Sequence, residues 1–469
     1  MVKKYLPVTI VLGIIILAGR LAFSVLFYEE RLMIDGSYMV FEMCNKSWFP
    51  DAQNRYIIWL LDLLPVTAIN LQLPLKAIIL LWYVNYFLFY LVCFCYVTIG
   101  LKDVTAGWIV IGLQLFTIST CFFNIANEML PGAVLAIVVF SSLKRFNKAQ
   151  ISVYFLLFFI VFSHLLVIVS ILIFLIFECL QNRSRIKYLA QKYSLLIQVF
   201  ALLTTVRLIV AFLDPYENSH LAFSNAQLHS FADHFNWLYL SHVAKFIITT
   251  FPEVVIMLLV LTVALLMHRK ITSIFGVFLF TTGYVLFWLY YLNPETSEQL
   301  NRFNHVNVRW LFPPVFLIVV LFFVYTERMQ ISRYFYVGIL ILAGSSFFHL
   351  SNDASRAVNT VKQYKTLIHC AHDKEISKCY ALRNLENEDV YYVDFYTSSM
   401  IYSALNGADS AVHIVLAQSE ELADISHMKK DEFYLSKEHI ISQAELNKKY
   451  FNLREDNYKL LSSNYLDCE

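Results

Sequence analysis

Residues 151–180 read ISVYFLLFFIVFSHLLVIVSILIFLIFECL, an apolar stretch interrupted at Ser163-His164. Read as one helix it crosses a bilayer once. Read as two short helices about a tight turn at Ser163-His164 it crosses twice. The two readings put every later loop on opposite sides of the membrane, so the charges of those loops decide between them. With the N-terminus inside and a turn at Ser163-His164, the inside segments hold Lys3, Lys4, Lys102, Lys144, Arg145, Lys148, Arg183, Arg185, Lys187, Lys192, Arg269, Lys270, Arg328 and Arg333. The much longer outside segments hold Arg31, Lys46, Arg55, Lys245 and Arg302. Inside loops carry the excess of Lys and Arg, so the turn reading is preferred. A single helix would move Arg183–Lys192 outside and invert the bias.

The same apolar character recurs along the chain. Of 469 residues, 58% are hydrophobic and 15% charged, against about 45–50% and about 25% in soluble domains. The apolar residues gather into runs that predict spans at 7–27, 75–100, 107–123, 129–143, 151–163, 164–180, 194–213, 246–267, 271–292, 308–325 and 334–350. The first follows Lys3-Lys4, but its apolar core is longer than that of a cleaved signal, and it reads as an uncleaved anchor. The fold class expected is an all-α polytopic membrane protein of about eleven helices, 1–350, with a small C-terminal α/β domain, 351–469, outside the cytoplasm. A net charge of +1 gives no reason to expect a nucleic-acid partner. No repeat is evident.

Two outside loops carry apolar residues at helical spacing, as interface-lying helices do. In 28–74 they are Tyr38, Phe41 and Met43 over Asp35–Lys46, then Ile57, Leu60, Leu61 and Leu64 over Asn54–Leu64, with Pro50 and Pro65 separating and ending them. In 214–245 they are Leu228, Phe231, Phe235, Leu238 and Tyr239. In the terminal domain, 353–369 reads as a helix, 389–395 as a strand, 397–405 as a helix, 411–417 as a strand and the tail from His427 as helical. Cys370 and Cys379, nine apart, form a disulfide if the domain lies in an oxidising compartment; two unpaired thiols are the alternative.

Ionisable residues predicted near the outer surface are the candidate chemistry, because such groups near lipid are costly unless they pair or act. They are Glu29, Glu30 and Asp35 in the first loop, Glu128 and His164 at the next two outside turns, Glu253 after Pro252, and Arg302, His305 and Arg309 before the tenth span. Each has a plainer reading. Asp35 suits a helix N-cap, Glu128 a first helical turn, His164 a turn, Arg309 a headgroup anchor, and Glu29-Glu30 a solvated loop. Arg207, inside the seventh span, calls for a partner within the bundle.

This layout resembles the membrane-embedded GT-C glycosyltransferases, through Glu29-Glu30, Ile34-Asp35-Gly36-Ser37-Tyr38 and the loop helices ending at Pro65. No Asp-x-Asp or Glu-x-Asp pair is present. The resemblance implies transfer of a sugar from a polyprenyl-phosphate donor to a glycan, lipid or protein acceptor at the outer face. A bacterial inner membrane is then the expected home rather than the endoplasmic reticulum. Asp35 is the candidate base, with Glu30 or Glu128 assisting or holding a divalent cation, Mg or Mn. Arg302 and Arg309 would hold the phosphate. His164, His305 and Glu253 would contact substrate. The rival readings are a carrier or flippase of a lipid-linked or polar substrate, a polymerase or ligase of surface polysaccharide, and a non-enzymatic scaffold.

Overall fold

The computed structural model describes residues 2–33, 35–50, 54–116, 122, 128–181, 191–214, 217, 237–292, 305–328, 333–382, 395–417, 421–436 and 439–462. The helices in the first part of the chain are α1 (Val2–Leu26), α2 (Asp35–Lys46), α3 (Ile57–Leu61), α4 (Leu63–Asn70), α5 (Leu75–Cys95), α6 (Val104–Phe116), α7 (Met129–Phe146), α8 (Ile151–Val161) and α9 (Leu165–Gln181). They continue with α10 (Ser194–Leu213), α11 (Trp237–Thr250), α12 (Pro252–Met267), α13 (Ile271–Leu292), α14 (His305–Trp310), α15 (Phe312–Arg328) and α16 (Arg333–Asp373). Among the described residues six helical stretches are long and apolar enough to cross a membrane: Leu6–Leu26, Leu75–Gly100, Met129–Phe146, Ser194–Leu213, Ile271–Tyr290 and Phe335–Asp373. Four more apolar helices, Val104–Phe116, Ile151–Val161, Leu165–Cys179 and Phe312–Thr326, are shorter than a usual span.

The stretch 151–180 is two helices. Ser163 Oγ donates to the Ile160 carbonyl at 2.6 Å, and the Leu166 N–H donates to His164 Nδ1 at 3.1 Å, which caps the start of α9. The expected span 246–267 is broken: α11 and α12 meet at 96°. Pro252 has no N–H to continue the ladder and forces Phe251 out of helical geometry, to φ −129° and ψ 50°.

α15 is the pillar of the bundle. It packs against α6, α9, α12 and α13, and Val315–Phe323 are buried along its whole circumference. Gly132, near the head of α7, admits the α8–α9 turn: a Cβ there would lie 2.2 Å from Ser163 Oγ. A larger residue would push the turn carrying His164 away from Glu128.

The first loop departs from the interfacial reading. α2 has the expected bounds, but Ser37, Met39, Val40, Phe41, Met43 and Cys44 are all buried, because the terminal domain covers it. Pro65 does not end the second helical stretch. It sits in the first turn of α4, where its missing N–H has no partner to lose.

α16 runs unbroken for 41 residues, so the last expected span and the helix expected at 353–369 are one rod, about 60 Å long at 1.5 Å per residue. Along its second half Leu350, Ala354, Ala357, Val361, Tyr364, Ile368 and Ala371 are buried at steps of three and four. The terminal domain follows with β1 (Lys378–Leu382), α17 (Phe395–Ala404), β2 (His413–Ala417), α18 (Leu422–Ser426), β3 (Glu432–Ser436), β4 (His439–Ser442) and β5 (Lys459–Ser462). β1 is central in a parallel sheet ordered β2-β1-β5, in register Cys379 to Ile414 and Tyr380 to Leu460. The strand–helix–strand unit is therefore β1-α17-β2; the strand expected at 389–395 falls outside the described residues except for Phe395, which begins α17. The tail from His427 forms no α-helix among its described residues. Phe433 pairs with Ile441 and Tyr434 with Ile440 in an antiparallel hairpin, as aromatic and β-branched residues favour.

The disulfide expectation is corrected. Cys379 is a free thiol, fully buried in the central strand, whereas Cys370 is disulfide-bonded to a different cysteine. Burial pushes the Cys379 thiol up to about 12, which keeps it protonated and inert.

Candidate functional site

Charged residues from six separate segments converge at one end of the bundle. Asp35 opens α2, and Arg309 Nη2 donates to its Oδ2 at 2.9 Å across 274 residues of sequence. Glu128 stands just before α7. Its side chain does not cap that helix but accepts from Arg55 Nη1 at 2.6 Å, with its other oxygen buried and unbonded among the described residues. Arg55 Nε also lies 3.9 Å from Glu217 Oε1. Glu217 grips Arg207 through both carboxylate oxygens, at 2.6 and 2.5 Å. Three guanidiniums thus alternate with three carboxylates.

Arg207 lies six residues before the end of α10, so it reaches Glu217 just beyond the helix end instead of pairing inside the bundle. Asp214 braces that corner: the Glu217 N–H donates to its Oδ1 at 3.2 Å and Asn54 Nδ2 to its Oδ2 at 3.5 Å. The forked, two-bond geometry fixes orientation as well as charge. Arg207 is fully buried and Glu217 and Glu128 nearly so, while Asp35 stays a third exposed. The network therefore has a dry interior and a wet edge at Asp35.

His164 completes the rim. Burial is the first reason that its imidazole is held neutral, with the charges of Arg55, Arg309 and Arg207 adding to it. Arg55 stays charged because Glu128 and Glu217 outweigh the cost of its burial and the repulsion of Arg309.

Four expected site residues lie elsewhere or beyond description. Glu30 belongs to the docking edge of the terminal domain. Burial raises its carboxyl above the ordinary range, with Glu29 adding and Lys365 opposing. Its neighbour Glu29 pairs with Lys365 of α16 and its carbonyl accepts from Tyr402 of α17. Glu253 is buried and accepts from Ser345 Oγ at 2.7 Å, with His349 Nδ1 at 3.8 Å, so it ties the broken span to α16. Arg302 lies outside the described residues, as does the side chain of His305.

Among the described residues no group of three His, Cys, Asp or Glu side chains stands as metal ligands would. The acids of the rim do not fit a divalent cation in this arrangement: Asp35, Glu128 and Glu217 already face guanidiniums. A cation would have to displace an arginine from each, and the arginines would repel it.

The sequence reading missed Arg55 and Glu217. The available signal was Arg207 itself, a charge in an apolar helix that needs a partner, with Asp214 and Glu217 within ten residues of it. Arg55 gave no signal beyond its charge, because its two partners lie 73 and 162 residues away.

No protein-family model matches this chain, and no curated protein and no solved structure matches it.

Proposed function

We propose that this protein is a membrane glycosyltransferase that moves a sugar from a polyprenyl-phosphate donor to an acceptor hydroxyl at the outer membrane face. The observation that carries the reading is the Asp35–Arg309 pair at the open edge of a buried Arg/Glu network. A lipid phosphate needs forked cations at the headgroup level, and a hydroxyl nucleophile needs a carboxylate next to them. In the resting state each partner satisfies the other. An incoming phosphate competes for Arg309 and releases Asp35. The acceptor oxygen then bonds to the anomeric carbon, the carbon–phosphate oxygen bond breaks with its electron pair staying on the lipid phosphate, and the acceptor proton passes to Asp35. Arg55, Glu128, Arg207 and Glu217 brace one another beside the Asp35–Arg309 pair, and the nearby Arg55 charge adds to the attraction for an anion. His164, kept neutral, offers a hydrogen bond without adding charge.

The disulfide at Cys370 supports an outer-face terminal domain, since such bonds persist in oxidising compartments. The eleven-span topology belongs to this proposal. It requires the four short helices to cross, and α11–α12 to count as one broken span.

The test is transfer by purified protein in liposomes from labelled polyprenyl-phosphate hexoses. Asp35→Asn is expected to lower the rate by about 10²-fold or more while the labelled donor still binds. Undiminished transfer by this variant excludes Asp35 as the base.

One observation favours a second reading, a carrier of the lipid-linked substrate: the 96° break at Phe251. Broken helices and buried charges line substrate paths in carriers. Flux of labelled lipid across the same liposomes without sugar transfer would select it.

A further inference from the structure

A second cluster of charge lies outside that network. Arg20 is on α1, six residues before its end, or ~9 Å below it at 1.5 Å per residue. Its side chain is buried, with 7% of the residue exposed, and its Nη1 is buried with no hydrogen-bond partner. Its guanidinium carbon stands 5.0 Å from the centre of the Phe122 ring. Arg31, also 7% exposed, approaches the same ring at 4.4 Å and the Tyr83 ring at 4.7 Å. Arg31 Nη1 donates to Ser24 Oγ at 2.6 Å and its Nε to the Phe122 carbonyl at 3.0 Å. The Ser24 hydroxyl in turn donates to the Arg20 carbonyl at 2.8 Å. The two guanidiniums act on each other and on Tyr90.

No carboxylate pairs with either arginine among the described residues, and 117–127, the segment around Phe122, contains no Asp or Glu. The three arginines of the rim each face an acid; among the described residues these two meet rings, a hydroxyl and a carbonyl. Ring faces attract a guanidinium too weakly to replace the water that two buried charges give up. An uncompensated buried pair of like charge is stable when an anion completes it, and two planar forks match the oxygens of a phosphate.

We propose that Arg20 and Arg31 are a receptor for a phosphate-bearing anion, separate from the Asp35–Arg309 site. Arg20 supplies the vacant donors, Arg31 is positioned by Ser24 and the Phe122 carbonyl, and Phe122 with Tyr83 walls the site. The shared chemistry is a phosphate group. It arrives either on a membrane lipid that enters beside α1 or as a free ion.

The experiment uses the full chain in neutral detergent, with melting temperature as the readout. One arm adds phosphatidylglycerol, a second adds inorganic pyrophosphate, and a third adds phosphatidylcholine, whose headgroup has no net charge. The expected result is a rise of about 2–4 °C in the phosphatidylglycerol or the pyrophosphate arm, which also names the source. Arg20→Met is expected to abolish that rise and, with no anion added, to melt no lower than the native chain, because it removes an uncompensated charge and keeps the volume. Arg31→Gln serves as the second variant and is also expected to lose the rise. The proposal is overturned if neither anion shifts the native chain, if Arg20→Met keeps the full shift, or if Arg20→Met melts well below the native chain without ligand, which would make the arginine a packing element.

Discussion

At the residue scale, each guanidinium of the charged rim has a carboxylate at hydrogen-bond distance, in a dry interior for Arg55 and Arg207 and at a wet edge for Arg309. Arg207 shows the dependence most clearly. It is fully buried, and Glu217 supplies both of its close contacts. Glu217→Gln removes the charge but keeps the size, and leaves Arg207 desolvated without a counter-ion. We expect a loss of roughly 3–5 kcal/mol in unfolding free energy, read by denaturant or thermal unfolding in detergent. Arg207→Met combined with Glu217→Gln is expected to recover much of that loss, since removing both charges also removes the cost of burying them. If the single variant melts with the native chain, the network is a surface feature and does not brace the rim. Asp35, Glu128, Arg309 and His164 were legible as single suspicious residues near one predicted face. Their mutual distances were not, because Asp35 and Arg309 stand 274 residues apart.

At the element scale, the first loop shows how a buried acid shapes an elbow. Asp62 separates α3 from α4 with φ −104° and ψ 4°, and its Oδ1 accepts from Trp82 Nε1 at 2.6 Å. It is fully buried, and burial pushes its carboxyl up to about 8, against the opposing effect of the Trp82 bond. The folded state thus keeps a proton that the unfolded chain releases near its ordinary value of 3.8. Between those two values the unfolded chain binds fewer protons, so stability falls as pH rises from about 4 to about 8 and levels off above that. Asp62→Asn removes the titration. Its melting temperature is expected to lose most of the fall seen in the native chain across that window; an unchanged slope would place the titration elsewhere. The elements themselves were partly legible. The turn at Ser163-His164 followed from loop charge, and the bounds of α2 followed from periodicity. The break at Phe251 was missed although Pro252 marks it, because the apolar run continues across it. The tail from His427 was misread because its charge density outweighed the short aromatic and β-branched pairs, which become a hairpin only when Phe433 and Leu435 find a core.

At the scale of the whole molecule, the terminal domain is part of the apparatus that holds Asp35. Ser37, on the first turn of α2, touches Ser398 of α17 through their hydroxyl oxygens at 2.6 Å, both fully buried. Asn447 donates to the Cys44 carbonyl at 2.8 Å, and its N–H donates to Asn45 Oδ1 at the same distance, at the far end of α2. The rod α16 carries the domain directly from the bundle, so the helix bearing Asp35 is clamped at both ends. Cysteines replacing Ser37 and Ser398 together are expected to cross-link under mild oxidation, read as a changed gel mobility that reductant reverses, while either single replacement does not. Failure of the double variant to link would detach the domain from α2 and leave Asp35 without that clamp.

Sequence by itself determined the membrane character of the chain, the helical nature of its apolar runs, the turn within 151–180 and the presence of a small α/β unit at the end. Each of these follows from local composition and period, which a helix or a loop expresses within a few turns. Tertiary structure alone decided which acid meets which guanidinium, that α2 is covered by the terminal domain, that Cys379 is not the partner of Cys370, and that Arg20 and Arg31 meet no carboxylate among the described residues. Those outcomes depend on contacts between segments tens to hundreds of residues apart, and burial sets their energies. Neither quantity is written in any local stretch of the chain.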